Sequence, residues 1–354
     1  MKRCTRCLYP DTKPDLFFDS EGVCSACLAF EKRKLIDWDA RKKDLARLLE
    51  QSRRPGAEFD CIVPSSGGKD SHWQVLTLIE MGARPLVVTA TTCHLTEIGR
   101  ANIDNLARYA TTIEVTPNRT VRAKLNRIGL RLVGDISWPE HVTIFSTPFR
   151  IAKDFGIPLI FYGECPQEAY GGPPGADLAR EMTRRWVQEF GGMNGLRVSD
   201  CIGVDGIAER DMDDYRMPDQ TNATAYFLGQ FFEWDSRRNA DVAVKAGMVT
   251  MLPSAMNWWD FENLDNAQTG IHDHFCWLKY GFGRATAQLS VDIRHGRVDR
   301  DEADTMRRAW DHTLPDRYMN VTIEEILGHI GMARPEFDGL CARFRNRKLL
   351  EAAA

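Results

Sequence analysis

Between residues 59 and 164, short apolar runs alternate with stretches of helical periodicity. FDCIVP (59–64), RPLVVTATT (84–92), TTIEVTP (111–117) and IPLIFYGE (157–164) read as strands. SHWQVLTLIEMG (71–82), TEIGRANIDNLARYA (96–110) and the later part of VTIFSTPFRIAKDFG (142–156) read as helices, the first and last ending at Gly82 and Gly156. Strands separated by helices need crossover connections, so the pattern predicts an α/β fold with a doubly wound, mostly parallel sheet.

Past residue 165 the alternation loosens. GGPPG (171–175) and GGMNG (191–195) read as loops, and TAYFLGQFFEWD (224–235) as a strand or short buried element. HDHFCWLKYGFG (272–283) and TAQLSVDIRHG (286–296) look helical. TIEEILGHIG (322–331) opens with the capping-box pair Thr322 and Glu325 and closes at Gly331. The C-terminal part is therefore expected to be mainly helical.

Ahead of the alternation, Cys4 and Cys7 form one Cys-x-x-Cys pair and Cys24 and Cys27 another. The interval between the pairs suits a four-cysteine zinc site. Two knuckles of two thiolates close a tetrahedron and leave no open position, which predicts structural Zn²⁺ rather than a catalytic metal. Free buried thiols and an iron–sulfur cluster fit the spacing less well. A rough helical stripe follows at 29–52, then the turn RRPGAE (53–58).

The chain has 354 residues and a formal net charge of −4. Its pI of about 6.1 argues against long nucleic acid as the main partner. No apolar stretch reaches the ~18 residues that span a membrane, and MKRCTRCLYP lacks the apolar core of a signal peptide. A cytoplasmic location is expected, and with it cysteines used as ligands or thiols rather than disulfides.

The loop between the first strand and its helix, VPSSGGKDSHW (63–73), has the physics of an anion site. Gly67 and Gly68 allow a sharp turn that aims backbone N–H groups, Ser65, Ser66 and Ser71 add hydroxyls, and Lys69 adds a cation. The helix behind contributes its positive end, and the carboxyl end of a strand is where open α/β sheets bind ligands. The spacing is not that of a Walker loop. A plain Gly-Ser turn would not need this order of strand, serines, Lys, Asp and helix.

SGGKDS (66–71) resembles the pyrophosphate-binding SGGxDS loop of the PP-loop (N-type) ATP pyrophosphatases. The resemblance implies a PP-loop, HUP-like domain that cleaves ATP between its α and β phosphates, with Thr89, Ala90 and Thr91 beside the adenosine. GECPQEAYGG (163–172), YFLGQFFEWD (226–235) and GIHDHFCWLKYGFGRATAQLSVDIRHGRVDRDEA (270–303), with the cysteine knuckles, resemble one branch, the N-acetyl sugar amidotransferases of bacterial surface-polysaccharide synthesis. That implies conversion of an N-acetyl group on a nucleotide-linked acidic sugar to an acetamidine through an imidoyl-AMP, with ATP and Mg²⁺. Three regions are expected: a knuckle and linking helix (1–52), the ATP-binding α/β domain (53–220) and a substrate-binding, helical C-terminal region (221–354).

Neither glutaminase device is present: residues 2 and 3 are Lys and Arg, and Cys165 sits in GECPQ rather than Gly-x-Cys-x-Gly. A separate glutaminase is therefore expected as partner, which the resemblance implies is like the imidazole-glycerol-phosphate-synthase pair.

Lys69, Asp70, Glu164 and Glu168 are the expected catalytic groups, against the plainer reading of the acids as helix-end or solvated loop carboxylates. Tyr170, His274, Lys279, Arg284 and Arg294 are the expected substrate contacts, the arginines as bidentate clamps on a carboxylate or phosphate, against a structural ion-pair cluster. His272 and His274 would point to different helix faces, so they are not read as a metal pair. Trp258, Trp259 and Trp277 read as core, and GFG (281–283) is too short for a dinucleotide fingerprint. A rival reading is tRNA thiolation through Cys165 or Cys201; another is a zinc-knuckle adaptor without catalysis.

Overall fold

The computed structural model describes residues 1–164, 181–252, 256–347 and 349. A five-stranded, wholly parallel sheet forms its centre, in the order β3-β2-β1-β4-β5: β1 Cys61–Pro64, β2 Pro85–Ala90, β3 Thr112–Val115, β4 Leu159–Tyr162 and β5 Thr224–Phe227. The chain winds outward from β1 to β3, then returns to place β4 on the other side of β1. The expected doubly wound sheet is thus present, with the switch of direction between β1 and β4. β5 lies beyond residue 220, so the sheet is completed from the C-terminal side of that boundary.

Helices cover both faces. α3 (Lys69–Glu80) follows β1, α4 (Glu97–Leu106) follows β2, and α5 (Arg119–Val133) and α6 (Trp138–Phe155) link β3 to β4. Ile62, Leu86, Val88 and Ile160 of the sheet pack on Leu125, Ile128, Trp138 and Phe149 of α5 and α6. On the opposite face Cys61, Val63, Val87 and Phe161 meet Val75 and Leu78 of α3. Each such side chain contributes about 1.5–3 kcal/mol by leaving water.

The helical stripe expected at 29–52 is two helices, α1 (Ser25–Arg33) and α2 (Trp38–Ser52). The break comes where Asp37 accepts a hydrogen bond from the Ala40 N–H (2.9 Å) and caps a new helix. After β4 come α7 (Arg184–Phe190) and α8 (Ser236–Lys245), the latter packed along α3. The C-terminal part is helical as expected: α9 (Thr269–Tyr280), α10 (Arg284–Arg294), α11 (Arg300–Trp310), α12 (Ile323–Ile330) and α13 (Arg334–Phe344), with a short hairpin of β6 (Arg317–Tyr318) and β7 (Val321–Thr322). The capping box forms: the Glu325 N–H donates to Thr322 Oγ1 (3.2 Å) and the Thr322 N–H to the Glu325 carboxylate (2.7 Å).

The N-terminal knuckles dock on this helical part. Tyr9 meets Phe282 edge-on at 6.1 Å, the Leu8 N–H donates to Ser290 Oγ (3.2 Å), and Arg300 reaches the Cys4 carbonyl (3.1 Å). No helix among the described residues is long and apolar enough to cross a membrane.

Candidate functional site

Two places in the molecule gather chemistry-bearing side chains predicted from sequence. The first is the cysteine cluster. Cys4, Cys7, Cys24 and Cys27 are all buried, with sulfur atoms converging. Cys4 and Cys27 are 3.9 Å apart, Cys7 and Cys24 3.6 Å. Tetrahedral Zn–S bonds of about 2.3 Å set adjacent sulfurs about 3.8 Å apart, so the four thiols fit zinc as they stand. The N–H groups of Arg6, Cys7 and Cys24 approach Cys4 Sγ at 3.4, 3.5 and 3.3 Å, which favours its thiolate. Arg294 lies over the Tyr9 ring at 5.7 Å, where the cysteines and Tyr9 hold its charge against the cost of burial. Sequence grouped Arg294 with the substrate contacts; the fold puts it behind the cluster, where it would oppose the net negative charge of four thiolates around a dication.

The second is at the switch point of the sheet. The SGGKDS loop leaves β1 there and Glu164 follows β4, so both meet at the crevice beyond the strands' carboxyl ends. Gly67 has φ +80°, and a Cβ on it would stand 2.8 Å from the Ile103 backbone nitrogen; only glycine fits. The Gly67 N–H donates to Ser65 Oγ (3.0 Å). His72 secures the loop from within α3: its Nδ1 donates to the Gly68 carbonyl (3.0 Å), and its Nε2 accepts from Asn105 (2.9 Å), which fixes the tautomer.

A cavity of about 210 Å³ opens here, lined by Ser66 to Ser71 and Glu164 on one side and by Phe261, Glu262, Asp265 and Arg284 on the other. Lys69 is 4% exposed, yet its ammonium donates to Asp70 (2.7 Å) and to Glu262 (2.8 Å) and lies 5.8 Å from the Phe261 ring centre. Burial would favour a neutral amine, but Asp70, Glu262 and Glu164 outweigh it and hold Lys69 protonated well above its ordinary range. Burial pushes Glu164 up to about 7, with Asp70 adding to the rise and Lys69 opposing it. Glu262 is held below its ordinary value: burial works against this, but Lys69, Arg284 and a hydrogen bond from Gln288 prevail. Burial also raises Asp265 to about 6.

The far wall was invisible in the sequence reading. Glu262 lies in an aromatic, acidic stretch, WWDFENLD, that carries no motif. It is positioned by Gln288 of α10, whose amide donates to Glu262 (2.8 Å) and whose oxygen accepts the N–H groups of Trp258 (2.6 Å) and Trp259 (3.1 Å). Asp292 supports the same segment, accepting from Trp259 Nε1 (2.8 Å) and Arg237 (2.8 and 3.0 Å). Asn239 of α8, also missed, donates to Asp70 (3.2 Å). The segment is tied to the start of α4 by the Thr96 N–H to the Asp265 carbonyl (3.1 Å), where a Cβ on Gly99 would stand 2.6 Å from Asp265 Cα.

Of the expected substrate residues that are described, Arg284 alone lines this cavity; it is held by Asp273 (2.9 and 3.2 Å). Lys279 instead donates to the Val133 carbonyl (3.1 Å), and His274 lines a different cavity of about 820 Å³ with Trp277, His312 and Arg345. Thr89 and Ala90 end β2 and Thr91 follows it, outside the 210 Å³ cavity; the Thr89 hydroxyl is buried without a hydrogen bond, and Thr91 donates to Thr116 (2.9 Å). Glu168, Tyr170 and Cys165 lie outside the described residues.

Residues 254–351 match the family model described as LPS biosynthesis protein WbpG-like, C-terminal domain. No curated protein matches the chain. The matched region supplies Glu262, Arg284 and Gln288 to the cavity and α9 and α10 to the bed of the cysteine cluster. Over that region, the chain is similar to a domain of lipopolysaccharide biosynthesis proteins.

Proposed function

We propose that the chain is a PP-loop ATP-dependent amidotransferase of surface-polysaccharide synthesis. It would convert an N-acetyl group of a nucleotide-linked acidic sugar to an acetamidine. The observation that carries this reading is the pairing, across one cavity, of the SGGKDS loop with Glu262 from the region similar to a lipopolysaccharide-biosynthesis domain.

An amide oxygen is a poor leaving group. Attack of that oxygen on the α-phosphate of ATP releases pyrophosphate and makes the oxygen part of AMP. Ammonia then adds to the imidoyl carbon, the C–O bond breaks, AMP leaves, and a proton is lost to give the amidine. The loop glycines and the N-terminus of α3 suit the pyrophosphate end, with Lys69 countering its charge. Asp70 and Glu262 both pair with Lys69 at the cavity wall, so a polyphosphate would enter with Mg²⁺, which supplies charge neutralisation on the leaving group. Asp70 and Glu262 are the carboxylates to hold it, freeing Lys69 for phosphate. Glu164, with a pKa of about 7, is poised to take the proton from incoming ammonium. Ammonia would come from a separate glutaminase.

Of the two thiols the thiolation alternative names, Cys165 lies outside the described residues. Cys201 is buried and pushed up to about 12 by burial and Asp200.

The test is mass spectrometry of a reaction with ATP, Mg²⁺, ammonium and a panel of nucleotide-linked N-acetylated uronic sugars. Replacing O by NH lowers the sugar's mass by about one unit, and AMP appears in equal amount, as the activation requires. AMP without a lighter sugar would reject the sugar acceptor; absence of both would reject the reading.

A further inference from the structure

Asp135, His141 and His272 come together from three elements: the turn after α5, the first turns of α6, and α9. One ligand atom from each lies within 4.8 Å of the others, and apart from the four cysteines no other such group occurs among the described residues. Asp135 is 2% exposed, while both imidazoles remain partly open to solvent. Asp135 Oδ1 is 2.8 Å from His272 Nδ1, and Oδ2 is 3.4 Å from His141 Nδ1. Ligands at about 2.0–2.2 Å from a first-row dication stand about 2.8–3.5 Å from one another at tetrahedral or octahedral angles. Both separations, one to each oxygen of the carboxylate, fall in that range.

One imidazole is seated less well than the other. His272 can donate to Asp135 at 2.8 Å, but His141 Nδ1 is buried and faces the same carboxylate at 3.4 Å, long for a hydrogen bond. Two imidazole nitrogens aimed at one fixed carboxylate, one of them too far for a good hydrogen bond, are an arrangement that a dication between them would close. The carboxylate is fixed from outside, as metal ligands are, by the Ser137 N–H (2.9 Å) and the Asn194 amide (3.1 Å). Gly192 leaves room for the ring, since a Cβ there would stand 2.9 Å from His141 Nδ1.

We propose that Asp135, His141 and His272 form a second metal site, binding one divalent first-row cation of the zinc class with solvent completing its shell. The ion would bridge α6 of the α/β domain and α9 of the helical part, independently of the cysteine cluster and of the ATP cavity. Sequence could not show it: His272 and His274 are the adjacent pair, yet His272 meets His141 and His274 faces elsewhere.

The test is metal counting on the full-length chain, loaded with excess Zn²⁺, dialysed and analysed by plasma mass spectrometry. Two equivalents are expected for the unaltered chain, and one for His141→Asn and for His272→Asn. With Co²⁺ the cysteine equivalent gives strong sulfur-to-metal charge transfer, while the second adds only weak d–d bands, lost in either variant. Retention of a single equivalent by the unaltered chain overturns the proposal whether or not a variant folds. So does a second equivalent that survives both substitutions.

Discussion

The cysteine cluster and the SGGKDS cavity are both announced by short motifs, but they are built differently. The cluster is complete within the first 27 residues: its four ligands need only two tight turns and one ion. The loop is half a site. Its buried lysine is tolerable because Glu262, from a segment on the other side of the chain's long C-terminal region, sits 2.8 Å away. Metal coordination satisfies its own charges locally. A buried ammonium needs a counter-charge wherever the fold can bring one.

The largest expected effect separates the two regions. Cys24→Ser should remove the cluster's metal and loosen the knuckle from α9 and α10, because metal binding at such sites is worth about 10 kcal/mol or more in apparent free energy. Metal content and protease sensitivity of the first 30 or so residues check this; a variant that keeps its cysteine-bound equivalent would break the assignment. Lys69→Ala should leave the metal in place and lower AMP formation by about 10²–10³-fold, the usual cost of one electrostatic contact to a developing charge. Normal turnover in that variant would reject the loop as the pyrophosphate site.

Glu262→Gln tests whether the far wall is needed. It leaves Asp70 as the one carboxylate hydrogen-bonded to the buried Lys69 and should destabilise the chain by about 2–3 kcal/mol, read as a lower denaturation midpoint with the cysteine-bound metal retained. An unchanged midpoint would make the Lys69–Glu262 pair incidental.

The smallest effect is a pH slope. The folded pKa of Glu164 lies above its ordinary 4.5, at about 7, so the folded state holds its proton more tightly than the unfolded state. Stability contributed by this group is present below about pH 4.5 and is lost as pH rises toward 7. Between pH 5 and 8, Glu164→Gln should lose about 1–2 kcal/mol less than the unaltered chain, allowing for partial solvent access. Equal slopes in urea titrations at the two pH values would remove Glu164 from the buried charge cluster.

The parts legible in the sequence are those set by local rules. Strand and helix alternation gave the parallel sheet, because period and turn residues act over a few positions. The two Cys-x-x-Cys pairs gave the converging four-cysteine cluster, and the SGGKDS order placed its loop between β1 and α3. The split of 29–52 into α1 and α2 was missed because one cap at Asp37 overrides a charge-rich stripe of weak amphipathicity. The residues expected to bind substrate were grouped by their nearness in sequence, and α9 and α10 disperse them. Arg294 turns to the cysteines, His274 to a separate cavity, Lys279 to a carbonyl, and only Arg284 faces the loop. A helix sends neighbouring residues to different faces, so proximity along it says little about a shared site.

By itself, then, the sequence determined the order of the elements, the grouping of four cysteines and the place of the SGGKDS loop between a strand and its helix, because each depends on contacts within a few residues. Tertiary structure alone decided which carboxylate answers Lys69, that the knuckles rest on the helical part, and that His272 meets His141 and Asp135. Those are pairings of charge and donor across more than a hundred residues, and they are fixed by how helices pack on the sheet rather than by any pattern along the chain.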